Sequence, residues 1–181
     1  MMDTIADVRE LEAIYGRTRV IGRDAISSYI EAPFTRPVAS RFSDGSYGVL
    51  YASDSEVTSA KETAHHLTVT YRDGKAPLLE TIRVALTLSV ECPGVELRRK
   101  HARRLPKGLY DSVDYTVGQR LGAKIREKAA GVHFDSVRNT PSGHCVGVFN
   151  KKGVRSAREI GTTALVWDGQ RFSEQHKITP L

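Results

Sequence analysis

Apolar positions along the chain follow two periods. At residues 3–15, Ile5, Val8, Leu11 and Ile14 recur at helical spacing, and Gly16 offers a stop. The region after it, through Pro33 and Pro37, reads as loop-rich and leads to the turn-like Ser43-Asp44-Gly45-Ser46. Tyr47-Gly48-Val49-Leu50-Tyr51 reads as a strand. Residues 55–67 read as a helix, with Asp54 or Ser55 as its cap and Glu56 or Thr58 in its first turn. The clearest two-residue period lies at 82–90, where Ile82, Val84, Leu86, Leu88 and Val90 alternate with Arg83, Ala85, Thr87 and Ser89, the pattern of a half-buried strand. Asp111 or Ser112 starts another helix, with Val113, Val117, Leu121 and Ile125 on one face and Gly131 as its stop. Three short strands follow at 132–137, 145–150 and 162–167, and Asp168-Gly169 signals a tight turn. Helices and strands are intermixed and the C-terminal half is strand-rich, so the expected fold class is α+β.

Length and composition narrow the classes. The chain has 181 residues, which favours one domain over residues 1–181. Its 40% hydrophobic and 27% charged residues rule out disorder as the overall state. The net charge of +6 calls for an anionic partner, whether nucleic acid, nucleotide, acidic protein or membrane surface. Cys92 and Cys145 form no CxxC, and His65, His66, His133 and His144 have no Cys or carboxylate at ligand spacing, so no metal is expected. The first residues carry acids where a signal peptide carries a basic and then an apolar region. The apolar stretch at 82–90 is far short of a membrane span. A soluble, cytoplasmic protein without a membrane partner is the expectation.

No Walker loop, GxGxxG, HExxH or GxSxG is present. Three clusters carry chemistry. In the first, Arg41 precedes a turn, Tyr51 ends a strand and Glu62 sits on the following helix. An Arg offers a rigid fork for phosphate, a Tyr a flat face, and a Glu an acceptor for ribose hydroxyls or a developing cation. The plain alternative is an Arg41–Glu62 ion pair with Tyr51 in the core. The second cluster is Phe134-Asp135-Ser136-Val137-Arg138-Asn139, either a ligand-binding strand end or a simple turn. The third is the basic run at 98–104, which lacks the interleaved aromatics of a base-stacking surface and reads as a solvated face.

Residues 40–52, Ser-Arg-Phe-Ser-Asp-Gly-Ser-Tyr-Gly-Val-Leu-Tyr-Ala, followed by Ala60-Lys61-Glu62-Thr63, resemble the first half of the RES domain family, named for an Arg, a Glu and a Ser. Residues 110–131 resemble the family helix ending in Gly, and residues 134–149 its strand, Ser-x-Arg turn and closing strand. The resemblance covers about residues 33–150. It puts the family's Arg on Arg41, its Tyr on Tyr51, its Glu on Glu62 and its Ser on Ser136.

The resemblance implies a fold similar to ADP-ribosyltransferases, with a cleft between two sheets. It implies an NAD-consuming toxin that cleaves the nicotinamide–ribose bond, with water or inorganic phosphate as acceptor. NAD is then the substrate, and no cofactor is implied. The implied partner is a helix-turn-helix-containing antitoxin that blocks the cleft in a hetero-oligomer. In this scheme Arg41 holds the pyrophosphate or a ribose, Tyr51 stacks on or orients the nicotinamide end, Glu62 stabilises the oxocarbenium-like transition state, and Ser136 binds nicotinamide or ribose. Arg36 adds positive charge near the phosphates, and Arg138 either does the same or is structural. Protein-modifying relatives of the fold often pair two acids as ExE or QxE. Ala60 stands at that spacing here, which tilts the reading from protein ADP-ribosylation toward free NAD. A nucleic-acid-binding module built on 98–104 is the reading from another class, and no direct nucleic-acid contact is expected under the toxin scheme.

Overall fold

A computed structural model describes residues 23–178 except 76, 78 and 103. The helix expected at 3–15 lies outside the described residues. Two compact units emerge from the chain. One comprises Ser27–Glu62 and Leu88–Ala157, and the described parts of the other lie at 23–26, 63–87 and 158–178.

The chain enters on α1 (Arg23–Thr35), where the sequence reads as loop-rich. Ile26, Ile30 and Pro33 lie on its less exposed side at helical spacing, a short stripe that the two prolines mask. Pro33 falls in the last turn of α1, and Thr35 Oγ1 donates to the carbonyls of Glu31 and Ala32. Two-residue strands β1 (Ala39–Ser40) and β2 (Ser43–Asp44) then fold on each other with Gly45 at φ 99°. Only a residue without a Cβ takes that angle without strain.

A four-stranded sheet forms the centre of the first unit. Its order is β3 (Leu50–Ser53), β7 (His144–Val148), β6 (Gly131–Asp135) and β5 (Gly94–Glu96). β3 and β6 flank β7 antiparallel, and β5 joins β6 in parallel. The strand expected at 47–51 starts later, because the Tyr47 carbonyl accepts from Ser43 Oγ at 2.5 Å and is lost to a ladder. Gly48 packs against the end of α1, where a Cβ would overlap the Pro33 carbonyl.

Between β5 and β6 lies α3 (Thr116–Ile125), after the longer α2 (Glu56–Asp73). The sequence places the start of α3 at Asp111 or Ser112. Asp111 Oδ1 instead accepts from the amides of Val113 and Asp114, a side-chain turn that competes with helix, and Val113 is 85% exposed. Gly118 and Gly122 of α3 lie directly on the backbone of Arg41 and Phe42. Gly131 does not cap α3 but opens β6. Phe42, Leu97, Leu109, Ile125, Val132, Phe134 and Cys145 make the core of this unit. Fully burying a side chain of that size contributes about 1.5–3 kcal/mol.

The strand expected at 82–90 is part of β4 (Leu79–Val90), and the one expected at 162–167 is part of β8 (Val154–Trp167); each has residues in both units. β9 (Phe172–Ile178), unforeseen in the sequence, pairs antiparallel with β8 through the Asp168-Gly169 turn. Trp167 packs there against Tyr71 and Phe172. No described helix is long and apolar enough to cross a membrane.

Candidate active site

α2 supplies the acid. Ser55 caps it, accepting from the Thr58 amide at 3.2 Å. Thr58 is fully buried, and Glu62 lies four residues on, over the same face of the helix. Glu62 is half-buried.

The loop between β6 and β7 comes to meet it. Ser136 is 1% exposed, and its hydroxyl donates to Glu62 Oε1 at 2.6 Å. The same oxygen accepts from the amides of Arg138 and Asn139 at 3.1 and 2.9 Å. With both amides on its lone pairs, the hydroxyl has its proton left for the carboxylate. The loop closes through Ser136 N to the Gly143 carbonyl and Gly143 N to the Asn139 carbonyl.

Arg41 is 8% exposed. Its Nη1 donates to the carbonyls of Leu109 and Asp111, both at 3.0 Å, and its guanidinium lies 4.6 Å over the Tyr115 ring. Burial lowers its pKa, against the opposing pull of Tyr115 and Glu62. Among the described ion pairs none joins Arg41 to Glu62, so the plain ion-pair alternative fails. Arg138 flanks the same loop, its Nη2 donating to the Ser112 carbonyl at 2.6 Å, while its buried Nε has no partner. Two arginines thus hold the carbonyls of Leu109, Asp111 and Ser112 in one short segment.

Tyr51 divides its parts. Its hydroxyl accepts from the Phe42 amide and bonds Ser40 Oγ, each at 3.0 Å, and burial pushes its pKa up to about 12. The residue as a whole is still 37% exposed, so part of the ring faces solvent. Its edge meets Phe134 at 6.1 Å.

Arg41, Tyr51, Glu62, Ser136 and Arg138 thus come together in one unit. Arg36 does not join them: its side chain is exposed on the segment after α1. The basic run is only partly a solvated face. Arg98 pairs with Glu96, and Arg99 lies 3.8 Å over the Tyr110 ring and bonds Asp135 through its amide. Arg99, Lys100, His101 and Arg104 nonetheless remain exposed. Thr58, Lys61 and Asn139 belong to the site's frame, a role the sequence reading does not assign them. The signals for them were the helical offset of Thr58 from Glu62 and the Asn ending the Ser136-to-Asn139 turn. Among the described residues no group of three or more His, Cys, Asp or Glu could hold a metal ion.

The RES domain family model matches residues 15–168. The chain belongs to the RES domain family. The RES domain is ADP-ribosyltransferase-like, in keeping with the mixed helices and sheets described above. The family is generally associated with NAD-related toxin function. The match reaches into both units and takes in every residue of the cluster. No curated protein matches the chain.

Proposed function

We propose that this RES domain cleaves the bond between nicotinamide and ribose in NAD and thereby inhibits growth. The observation that carries the reading is a carboxylate, Glu62, held by a buried hydroxyl and lying near a buried arginine and a partly open tyrosine ring. In the proposed reaction the C–N bond breaks, and its electron pair leaves with nicotinamide. Positive charge builds on the ribose, and Glu62 stabilises it electrostatically. A water oxygen or a phosphate oxygen then bonds the ribose carbon, and in the case of water one proton passes to solvent. Arg41 offers its charge to the pyrophosphate, with Arg138 beside it. The exposed part of Tyr51 stacks on the nicotinamide end. Ser136, its hydroxyl taken up by Glu62 and two amides, acts by orienting Glu62.

The setting proposed for this activity is the cytoplasm, with a helix-turn-helix-containing antitoxin blocking the site in a hetero-oligomer. The residue two positions before Glu62 is Ala60, so free NAD is favoured over a protein as the group being processed.

The test is nicotinamide release from NAD by the purified protein, with and without inorganic phosphate. Glu62→Ala is expected to slow it by about 10²-fold or more. Equal slow release by wild type and Glu62→Ala overturns the reading. Label transferred from NAD to lysate proteins moves it to ADP-ribosylation.

A further inference from the structure

The loop carrying Ser136 is fastened to α2 by a side chain outside the reacting cluster. Asn139 Nδ2 donates to Thr58 Oγ1 at 2.9 Å, and Lys61 Nζ donates to Asn139 Oδ1 at 2.8 Å. These bonds bridge 81 and 78 positions of chain. The backbone of Asn139 faces the other way, its amide on Ser136 Oγ and its carbonyl receiving the Gly143 amide. One residue therefore touches Ser136 with its main chain and two residues of α2, Thr58 and Lys61, with its side chain.

The chemistry calls for an amide at this position. Lys61 can only donate, and the Thr58 hydroxyl, which also meets Ser55 Oγ at 2.8 Å, has Asp54 Oδ1 within reach at 3.2 Å for its own proton and so accepts from Asn139. The side chain between them must accept on one arm and donate on the other, which Asn does. Thr58 is fully buried, so water does not stand in for the bond between its hydroxyl and Asn139. A Cβ at Gly143 would stand 2.8 Å from the Asn139 Cβ and 3.0 Å from Thr58 Cγ2, so the junction has no slack.

We propose that Asn139 is a positioning residue: with Thr58 it locks the loop at 136–143 onto α2 and so holds the Ser136 hydroxyl on Glu62. Its activity readout rests on the NAD reading above, and its exchange readout does not.

Asn139→Ala, Thr58→Val and Thr58→Ser are compared with wild type by kcat and KM for nicotinamide release and by hydrogen–deuterium exchange of the amides at 136–143. Misplacement of this kind costs about 10-fold to 10²-fold. Asn139→Ala and Thr58→Val are expected to lose that much in kcat with little change in KM. Both should speed exchange at Arg138 and Asn139. Thr58→Ser, which keeps the hydroxyl, restores most of the rate and the slow exchange. The Asn139→Ala/Thr58→Val double variant falls no further than the worse single variant, because both break one link. Unchanged exchange in Asn139→Ala overturns the proposal, as does Thr58→Ser behaving like Thr58→Val. If wild type releases no nicotinamide, the NAD reading fails while exchange still decides the lock. If wild type is active and Asn139→Ala keeps its kcat, the positioning role fails alone.

Discussion

Ser136 Oγ donates to Glu62 Oε1 at 2.6 Å, joining two residues 74 positions apart, one on a strand-end loop and one on a helix. A carboxylate held by a neutral hydroxyl keeps its charge available to a cation that forms beside it. An arginine closed onto the same carboxylate would have neutralised it, and here Arg41 is turned to the carbonyls of Leu109 and Asp111 instead.

Ser136→Ala removes that donor and also the acceptor for the Arg138 and Asn139 amides. Leaving buried donors unmatched costs about 1–3 kcal/mol. A melting temperature several degrees lower and at least about tenfold slower nicotinamide release are expected. Thermal unfolding beside the release assay checks both. A full-rate, full-stability variant contradicts the hydrogen-bond assignment.

Tyr51 provides a pH prediction. Its pKa is about 12 in the folded chain against 10.0 for an ordinary phenol. Between those values the unfolded chain has lost the proton and the folded chain keeps it. Stability therefore falls as pH rises through that window and is flat below it. Tyr51→Phe removes this alkaline component and, at neutral pH, costs about 1 kcal/mol for the bonds to Phe42 and Ser40. Urea midpoints measured from pH 9 to 11 should fall less in the variant than in wild type.

At Gly118 of α3 a Cβ would overlap the Arg41 carbonyl, and at Gly122 the Phe42 carbonyl. Gly118→Ala must push the helix off the segment that carries Arg41. Overpacking costs about 1–3 kcal/mol, so Gly118→Ala is expected to lower both the denaturation midpoint and the rate. Arg120→Ala, on an exposed position of the same helix, is the control and should leave both near wild type.

Glu96 responds at the acid end. Its bonds to Arg98 draw its pKa down to about 2, from 4.5 for a free carboxylate. A depressed carboxylate contributes stability above its unfolded pKa and loses it as pH falls toward the folded value. Wild type should therefore lose stability between pH 4.5 and 2 that Glu96→Gln has already lost at pH 7. The size is small, because the pair is about one-third exposed. Chemical unfolding at pH 7 and pH 3 distinguishes the two.

Much of this protein was readable in one dimension. Alternation along residues 82–90 marks β4 because a strand's side chains change face at every residue, a purely local rule. Ser55 ahead of Thr58 marks the start of α2 for the same reason. The order of the Arg41, Tyr51, Glu62 and Ser136 segments along the chain resembles that of the RES family. Local rules also misled where two of them competed. Pro33 and Pro37 masked the stripe of α1, and the Asp111 turn delayed α3.

Tertiary structure alone decided what those residues do. The sequence cannot tell that Arg41 is buried against carbonyls at 109 and 111, or that Arg98 and Arg99 of the basic run are taken up by Glu96, Asp135 and Tyr110. Nor can it tell that Asn139 reaches Thr58 and Lys61. Each of these links spans a distance in chain set by packing, and hydrogen-bond partners are chosen by which donors and acceptors packing leaves buried together. Sequence fixes which chemical groups the chain owns and the local elements that carry them. Only the fold decides which groups meet out of water, and there a 2.6 Å bond between Ser136 and Glu62 makes a site of them.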